Sequence, residues 1–338
     1  MMFKSLEDFS DILRNKLPQP DDVARENVLK HQLLLTKPKG SLGQLEELIL
    51  WFSGWKRKSK SVIENAVTVI FVGNHGVTKQ NISRYPSEVT GQMVANFEAG
   101  GAAINAISEV VGSELKIVPI KLEEPTCDIT QEPAMSEGEL LDSLNIGAST
   151  VSCKGDIFAF GEMGIGNTTV AATLSAISFG EKGKDWAGPG TGLDENGIKL
   201  KANVIDRALI LHENAKTATD RLRCLGGREL AAIAGAIVAA RCVSVPVILD
   251  GYSATAAIAP LFIENPEIIT HCMAGHVSTE PGHGKLLKAM NLRPLLNLGM
   301  CLGEGTGATL AISILRAALV THNNMATFDQ AKISGAKA

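Results

Sequence analysis

The chain has 338 residues, 45% hydrophobic and 20% charged, with a formal net charge of −4 and a pI near 6.0. This length supports a large buried core and about two domains, and the mild acidity argues against nucleic acid or an anionic membrane as partner. Six scattered cysteines without a CxxC pair read as reduced thiols rather than a disulfide framework.

In chain order, the first ~35 residues read as helical, with Ser5 and then Asp21 or Asp22 as N-caps and Pro18 and Pro20 as the break between them. The opening "MMFKSLEDFSDILRNKL" has no apolar core followed by a cleavage site, and no stretch reaches the length of a membrane span, so the expected location is cytoplasmic. From residue 66 short apolar runs appear: "AVTVIFVG", "ELKIVPI", "DIFAFG", "VPVILDG" and "EIITHCM". Helical spacing fills 91–109, 168–179 and 228–241, and the C-terminal "ATLAISILRAALVTHNN" is helical again. Strands alternating with helices predict an α/β fold, a mostly parallel sheet with helices on both faces. Its strands should include 67–72, 156–160 and 245–249. Residues 1–35 and 310–338 are expected to form a small helical domain, and 36–309 the large domain.

The loops after these strands carry the chemistry. In open parallel sheets ligands bind outside the carboxyl ends of the strands, which gathers "GNHGV", "GEMGIGN", "DGYSAT" and "GHVSTEPGH" around one site. In "GEMGIGNTT", Gly161, Gly164 and Gly166 let backbone N–H groups approach a ligand, and Asn167 or Thr168 can cap the next helix. A plain strand–helix turn is the bland alternative. Glu162 repels a phosphate but suits ribose hydroxyls one sugar away, so the loop describes a nucleotide. "GPGTGLDENGIKLK" adds Gly190 and Lys201, a cation for that phosphate, or else a solvated surface turn. "GEGTGATL" sets Glu304 between glycines at a helix start, either a dipole-favouring surface residue or an accessible base. His271, Cys272, His276, Glu280 and His283 cluster without a metal-ligand spacing, and His283 is the one expected to face a ligand. Asp250 closes an apolar strand but lacks the second acid that holds a magnesium-bound pyrophosphate donor.

The chain resembles the nicotinate-nucleotide–dimethylbenzimidazole phosphoribosyltransferases, through "KPKGSLGQLEEL", "GNHGV", "RYPSEVTGQMVANFEAGGAAIN", "GEMGIGNTT", "GPGTGLD", "VPVILDGYSATAA", "HVSTEPGH" and "LNLGMCLGEGTGATLA", in the family's order from residue 37 to about 311. The resemblance implies transfer of phosphoribose from nicotinate mononucleotide to 5,6-dimethylbenzimidazole, which makes the lower-ligand nucleotide of cobalamin. It implies a Rossmann-like sheet with a small helical bundle from both termini, a homodimer, no metal and no cofactor. It places the catalytic base on Glu304 and substrate contacts on Glu162, Gly164, Gly166, Asn167, Thr168, Gly190 and Lys201. His75, Tyr85, Met93, Asp250, Ser278, Glu280, His283 and Leu302 complete the substrate-binding set. Tyr85 and Met93 stand where some relatives carry Ser and Gln, and Asn74 where Asp is expected before His75. Two readings from other classes stay open: a metal-dependent hydrolase built on the histidine cluster, and a nucleotide-binding regulator without chemistry.

Overall fold

The structure, a computed structural model, describes residues 1–334. Six strands form one parallel sheet in the order β2-β1-β3-β4-β5-β6: β1 Ala66–Val72, β2 Ser113–Pro119, β3 Ile157–Met163, β4 Val247–Leu249, β5 Cys272–His276 and β6 Pro294–Leu296. Every residue of β1 and β4 is buried, as near-continuous Val, Ile and Phe runs demand when helices cover both faces. Pro294 lies on the edge strand β6, where a missing N–H is tolerated.

Two clusters sandwich the sheet. One joins Phe158 and Phe160 to the helices Glu137–Ser149, Asn167–Phe179 and Arg228–Cys242. The other joins Ile157, Ala159 and Ile248 to the helices Gln44–Lys56 and Thr306–Asn324. Alternate residues of β3 thus serve opposite faces, the period of two of a strand.

Several elements differ from their sequence reading. The strand β3 runs three residues further than 160, so Glu162 lies in the sheet opposite Phe71 rather than in a loop. The 91–109 helix divides into Glu88–Glu98 and Ala103–Val111, because Gly100 adopts φ +78 between them. The run "EIITHCM" begins as a short 3-10 turn, Pro266–Ile269, capped by the Asn265 side chain on Glu267 N, and extends only from Cys272. Among the described residues no helix is long and apolar enough to cross a membrane.

The two ends of the chain meet: Leu35 bridges Thr327, and Phe328 N donates to Leu34 O. Ser5 and Asp21 cap the first two helices, each accepting from a backbone N–H three residues on. The first helix, Leu6–Asn15, packs Phe9 and Leu13 into one face of the sheet, while Val28 of the second, Asp22–Gln32, joins the other. The domain boundary expected at 309/310 falls inside the continuous Thr306–Asn324 helix, which packs directly on the sheet. Residues 335–338 of the expected terminal unit lie outside the described residues.

The helices Glu137–Ser149 and Arg228–Cys242 cross at glycines. A Cβ on Gly147 would strike the Ala232 carbonyl, and one on Gly235 the Leu144 carbonyl. Gly235→Ala should therefore lower unfolding free energy by about 1–3 kcal/mol through overpacking. Gly91, exposed in a helix with nothing near its missing Cβ, should gain about 0.5–1 kcal/mol as Gly91→Ala. Denaturant unfolding of both variants checks the pair.

Candidate active site

The strand order reverses between β1 and β3, so a crevice opens beyond their carboxyl ends. A cavity of about 740 Å³ occupies it, the size of a small-molecule site. Gly164, Ile165, Asn167 and Thr168 line it after β3, Gly190 to Gly192 from the second glycine loop, and Gly251 to Ser253 after β4. Ser278 and Glu280 close one side. Tyr85, Ile107, Met163, Met300 and Leu302 give it an apolar wall.

Carboxylates gather at the floor. Glu162 is 7% exposed and accepts a hydrogen bond from the Asn167 amide. Glu304 is 5% exposed, its Oε2 buried without a partner. Its backbone belongs to three successive left-handed residues, Gly303 at φ +83, Glu304 at +61 and Gly305 at +76. This turn rests on the sheet so closely that a Cβ on Gly161 would collide with the Gly305 backbone. Burial, then the charges of Asp250, Glu229 and Glu304, push the Glu162 carboxyl up to about 8. Burial, then Asp250, push Glu304 up to about 7. Both groups thus exchange protons near neutrality, where a general base or acid works best.

The other end of the cavity suits an anion. Gly166, at φ +94, turns the chain into the Asn167–Phe179 helix without a side-chain cap; Asn167 N and Thr169 N donate to Gly164 O and Gly166 O, and the Thr168 N–H of the first turn is left for the cavity. Behind Thr168 lies Lys201, fully buried, whose Nζ donates to Thr168 Oγ1 (2.8 Å) and Gly188 O (3.2 Å). Burial pulls its ammonium down to about 8, against the opposing charge of Glu280. Glu280 itself accepts from Gly190 N at 3.2 Å.

Of the residues singled out from sequence, Tyr85, Glu162, Gly164, Asn167, Thr168, Gly190, Ser278, Glu280 and Leu302 line this one cavity. Gly303 and Thr306 line it on both sides of Glu304. Four expected contacts are placed otherwise. Asp250 is fully buried, and its carboxylate accepts from Gly305 N and Ala308 N, so it caps a helix. His283 is fully buried and turned into the scaffold, its Nδ1 accepting from Ser278 N and its Nε2 3.2 Å from Thr255 Oγ1. Met93 packs with Met163 against a satellite core cluster rather than on the cavity wall. His75 is buried beneath the 164–166 loop, with Nε2 2.8 Å from Glu229 Oε1. The histidine cluster disperses as well: His271 meets Ile237 O, and among the described residues no three His, Cys, Asp or Glu side chains are grouped to hold a metal ion.

Glu229 was missed from sequence. It is fully buried at the start of the Arg228–Cys242 helix, and Gly73 and Gly227 leave room for its carboxylate. The signal available was an acid at the head of an otherwise apolar, Ala-rich helix just after two glycines.

A family model described as "Phosphoribosyltransferase" matches residues 17–333. Curated relatives from Brucella canis and Brucella melitensis biotype 2, each named nicotinate-nucleotide–dimethylbenzimidazole phosphoribosyltransferase, are 48% identical over 98% of this chain and 98% of their own. The chain belongs to that family. It is accordingly a phosphoribosyltransferase, and two solved structures share its fold. CobT from Thermus thermophilus superposes with a TM-score of 0.86 at 35% identity, covering 92% of this chain and 99% of that one. The nicotinate-nucleotide–dimethylbenzimidazole phosphoribosyltransferase of the same organism gives 0.87 at 34%, covering 94% and 100%.

The raised carboxyls make a stability prediction. Glu162 binds more protons folded than unfolded between its ordinary value of 4.5 and about 8, so its contribution to stability falls as pH climbs through that window. Glu162→Gln should therefore gain on the wild type from pH 5 to pH 7 in urea unfolding. The difference isolates the carboxyl, because the neutral, buried His271 and His283 slope the other way in both proteins.

Proposed function

We propose that this phosphoribosyltransferase moves the 5-phosphoribosyl group of nicotinate mononucleotide to 5,6-dimethylbenzimidazole, with inversion at C1′ and Glu304 as general base. The observation that carries the reading is the pair of Glu162, on the cavity lining, and Glu304, buried between the lining residues Gly303 and Thr306, both raised toward neutrality. Nicotinate mononucleotide brings a pyridinium, a cation that suits an acidic floor, and a phosphate that suits the helix N-terminus at the other end.

In the reaction the bond from C1′ to the pyridinium nitrogen breaks, and its electron pair returns to the ring, releasing nicotinate. A benzimidazole nitrogen attacks C1′ from the opposite face, turning β into α. As that lone pair is consumed the second ring N–H becomes acidic, and Glu304 takes the proton. Glu162 accepts from ribose hydroxyls and favours the positive character that develops on the sugar. The Thr168 N–H, in the first turn of the Asn167–Phe179 helix, and the helix dipole receive the phosphate. Two of the three Lys201 ammonium protons go to Thr168 Oγ1 and Gly188 O, which leaves one for the phosphate. The apolar wall from Tyr85 to Leu302 receives the flat acceptor base. The product is the lower-ligand nucleotide of cobalamin.

The working unit in this reading is a homodimer. Tyr85 and Leu302 on the cavity wall are 53% and 56% exposed, and Leu298, just before the wall segment 300–303, is 61% exposed. A second copy would cover this apolar rim.

Incubation with nicotinate mononucleotide and dimethylbenzimidazole should release nicotinate and α-ribazole 5′-phosphate in equal amounts; no nicotinate release refutes the reading. Glu304→Gln should lose about 10²–10⁴-fold in kcat with the donor KM little changed. The acid limb of the wild-type kcat profile, near pH 7, should vanish in that variant. Turnover within a few-fold of wild type would move the base elsewhere. Lys201→Ala should raise the donor KM about ten- to hundred-fold, the loss of a charge-assisted hydrogen bond worth ~1.5–3 kcal/mol, measured in initial-rate kinetics.

A further inference from the structure

The turn that presents Glu304 is unusual in itself. Three successive left-handed residues, the middle one not glycine, form a conformation that local preference does not sustain, so tertiary contacts must hold it. Thr306 ties back locally, donating from both N and Oγ1 to Gly303 O at 3.1 and 2.8 Å. The contact from outside comes from Asp250, fully buried at the carboxyl end of β4. Its Oδ2 accepts from Gly305 N at 3.0 Å and its Oδ1 from Ala308 N at 2.9 Å. Gly305 is the N-cap of the Thr306–Asn324 helix and has no side chain with which to cap it. A strand residue 55 positions upstream supplies the cap instead.

We propose that Asp250 is the positioning residue of the base: it clamps the backbone next to Glu304 and fixes the left-handed turn. The proposal deepens the general-base reading and rests on it. Both carboxylate oxygens are committed to backbone N–H groups one and four residues past Glu304, so Asp250 acts through the turn rather than on substrate.

The charged groups facing this turn come from three strands and one helix. Asp250 arrives from β4 and Glu162 from β3, with Glu229 behind it raising Glu162 in turn. From β5 comes His276, whose Nδ1 stands 3.7 Å from Asp250 Oδ1, beyond hydrogen-bonding distance. The N-terminal dipole of the Thr306–Asn324 helix opposes the acids. Removing the Asp250 charge leaves that dipole less compensated and takes one repulsion off Glu304. Both changes favour the ionised base, so the acid limb must move to lower pH.

The test is Asp250→Asn beside Asp250→Glu, assayed with nicotinate mononucleotide and dimethylbenzimidazole across pH 5 to 9. The amide accepts one of the two N–H groups and presents its own NH₂ to the other. Asp250→Asn should lose at least about ten-fold in kcat with its donor KM within about three-fold of wild type, and its acid limb should shift to lower pH. Asp250→Glu keeps the charge but moves the oxygens, so kcat should fall while the limb stays near its wild-type position. In a crystal structure of either variant, φ of Glu304 should leave +61. A wild-type kcat and limb in Asp250→Asn would overturn the proposal, as would a raised donor KM with kcat kept, which would make Asp250 a donor contact. Should Asp250→Asn lose its native melting transition, the same kcat-against-KM split in Asp250→Glu decides. Glu304→Gln run in parallel separates the two readings. If that variant is fast, the base assignment fails, while φ of Glu304 in the Asp250 variants still tests the clamp. If it is slow and Asp250→Asn is wild type with φ unchanged, the positioning role alone fails.

Discussion

The molecule is organised around a contact with no clearance, the seating of the 303–305 turn on the end of β3. Gly161 carries no side chain because the Gly305 backbone fills the space where a Cβ would stand. Thr68 on β1 presses from the next strand, its Cγ2 3.2 Å from the site of a Cβ on Gly305. Because the turn sits this low, Glu304 meets the sheet beside Glu162 rather than in solvent. The helix behind it enters the core at Thr306 and stays buried against β3, β4 and β5. Lifting the turn by the width of one methyl group would separate the two glutamates and unseat that helix.

Such seating has an electrostatic cost. Glu162, Glu229, Asp250 and Glu304 all lie at or below 7% exposure, in a region where ionised carboxylates lose their hydration. Asp250 is compensated by two backbone N–H groups and Glu162 by Asn167. Glu304 has Oε2 without a partner, and neither oxygen of Glu229 meets a well-aligned donor. Sites that withhold partners from acidic groups spend folding stability on reactivity, the usual trade between a stable scaffold and a working centre. Lys201 follows the opposite plan: it is buried but held by Thr168 Oγ1 of the Asn167–Phe179 helix and by Gly188 O of the following glycine loop, so its position is set.

Much of this was legible from the residues, and the rest failed for identifiable reasons. Val, Ile and Phe runs located β1, β3 and β4 because burial on both faces leaves no other composition. The glycine loops converged as expected, since a parallel sheet brings all its carboxyl ends to one edge. What residue identity does not carry is direction. His283 and Asp250 sit in stretches of sequence that look functional, yet one braces Ser278 N and the other caps a helix. Glu229 looked like an ordinary first-turn acid and proved fully buried. Periodicity marks where the Thr306–Asn324 helix runs but not that it packs on the sheet. Phe9 and Leu13 announce an apolar face without saying which side of the sheet receives it.

The cavity's two walls differ in how they can change over generations. On the carboxylate side, Gly161, Gly303, Gly305 and Gly307 each have a neighbour's atoms where a side chain would grow, so a substitution there disturbs the whole centre at once. Along the apolar wall Tyr85 and Leu302 are more than half exposed and Ile107, Met163 and Met300 only partly buried, so exchanging one for another apolar residue reshapes the pocket and little else. Descendants of this sequence can therefore vary the apolar lining by drift, while the close packing around the carboxylates is inherited intact.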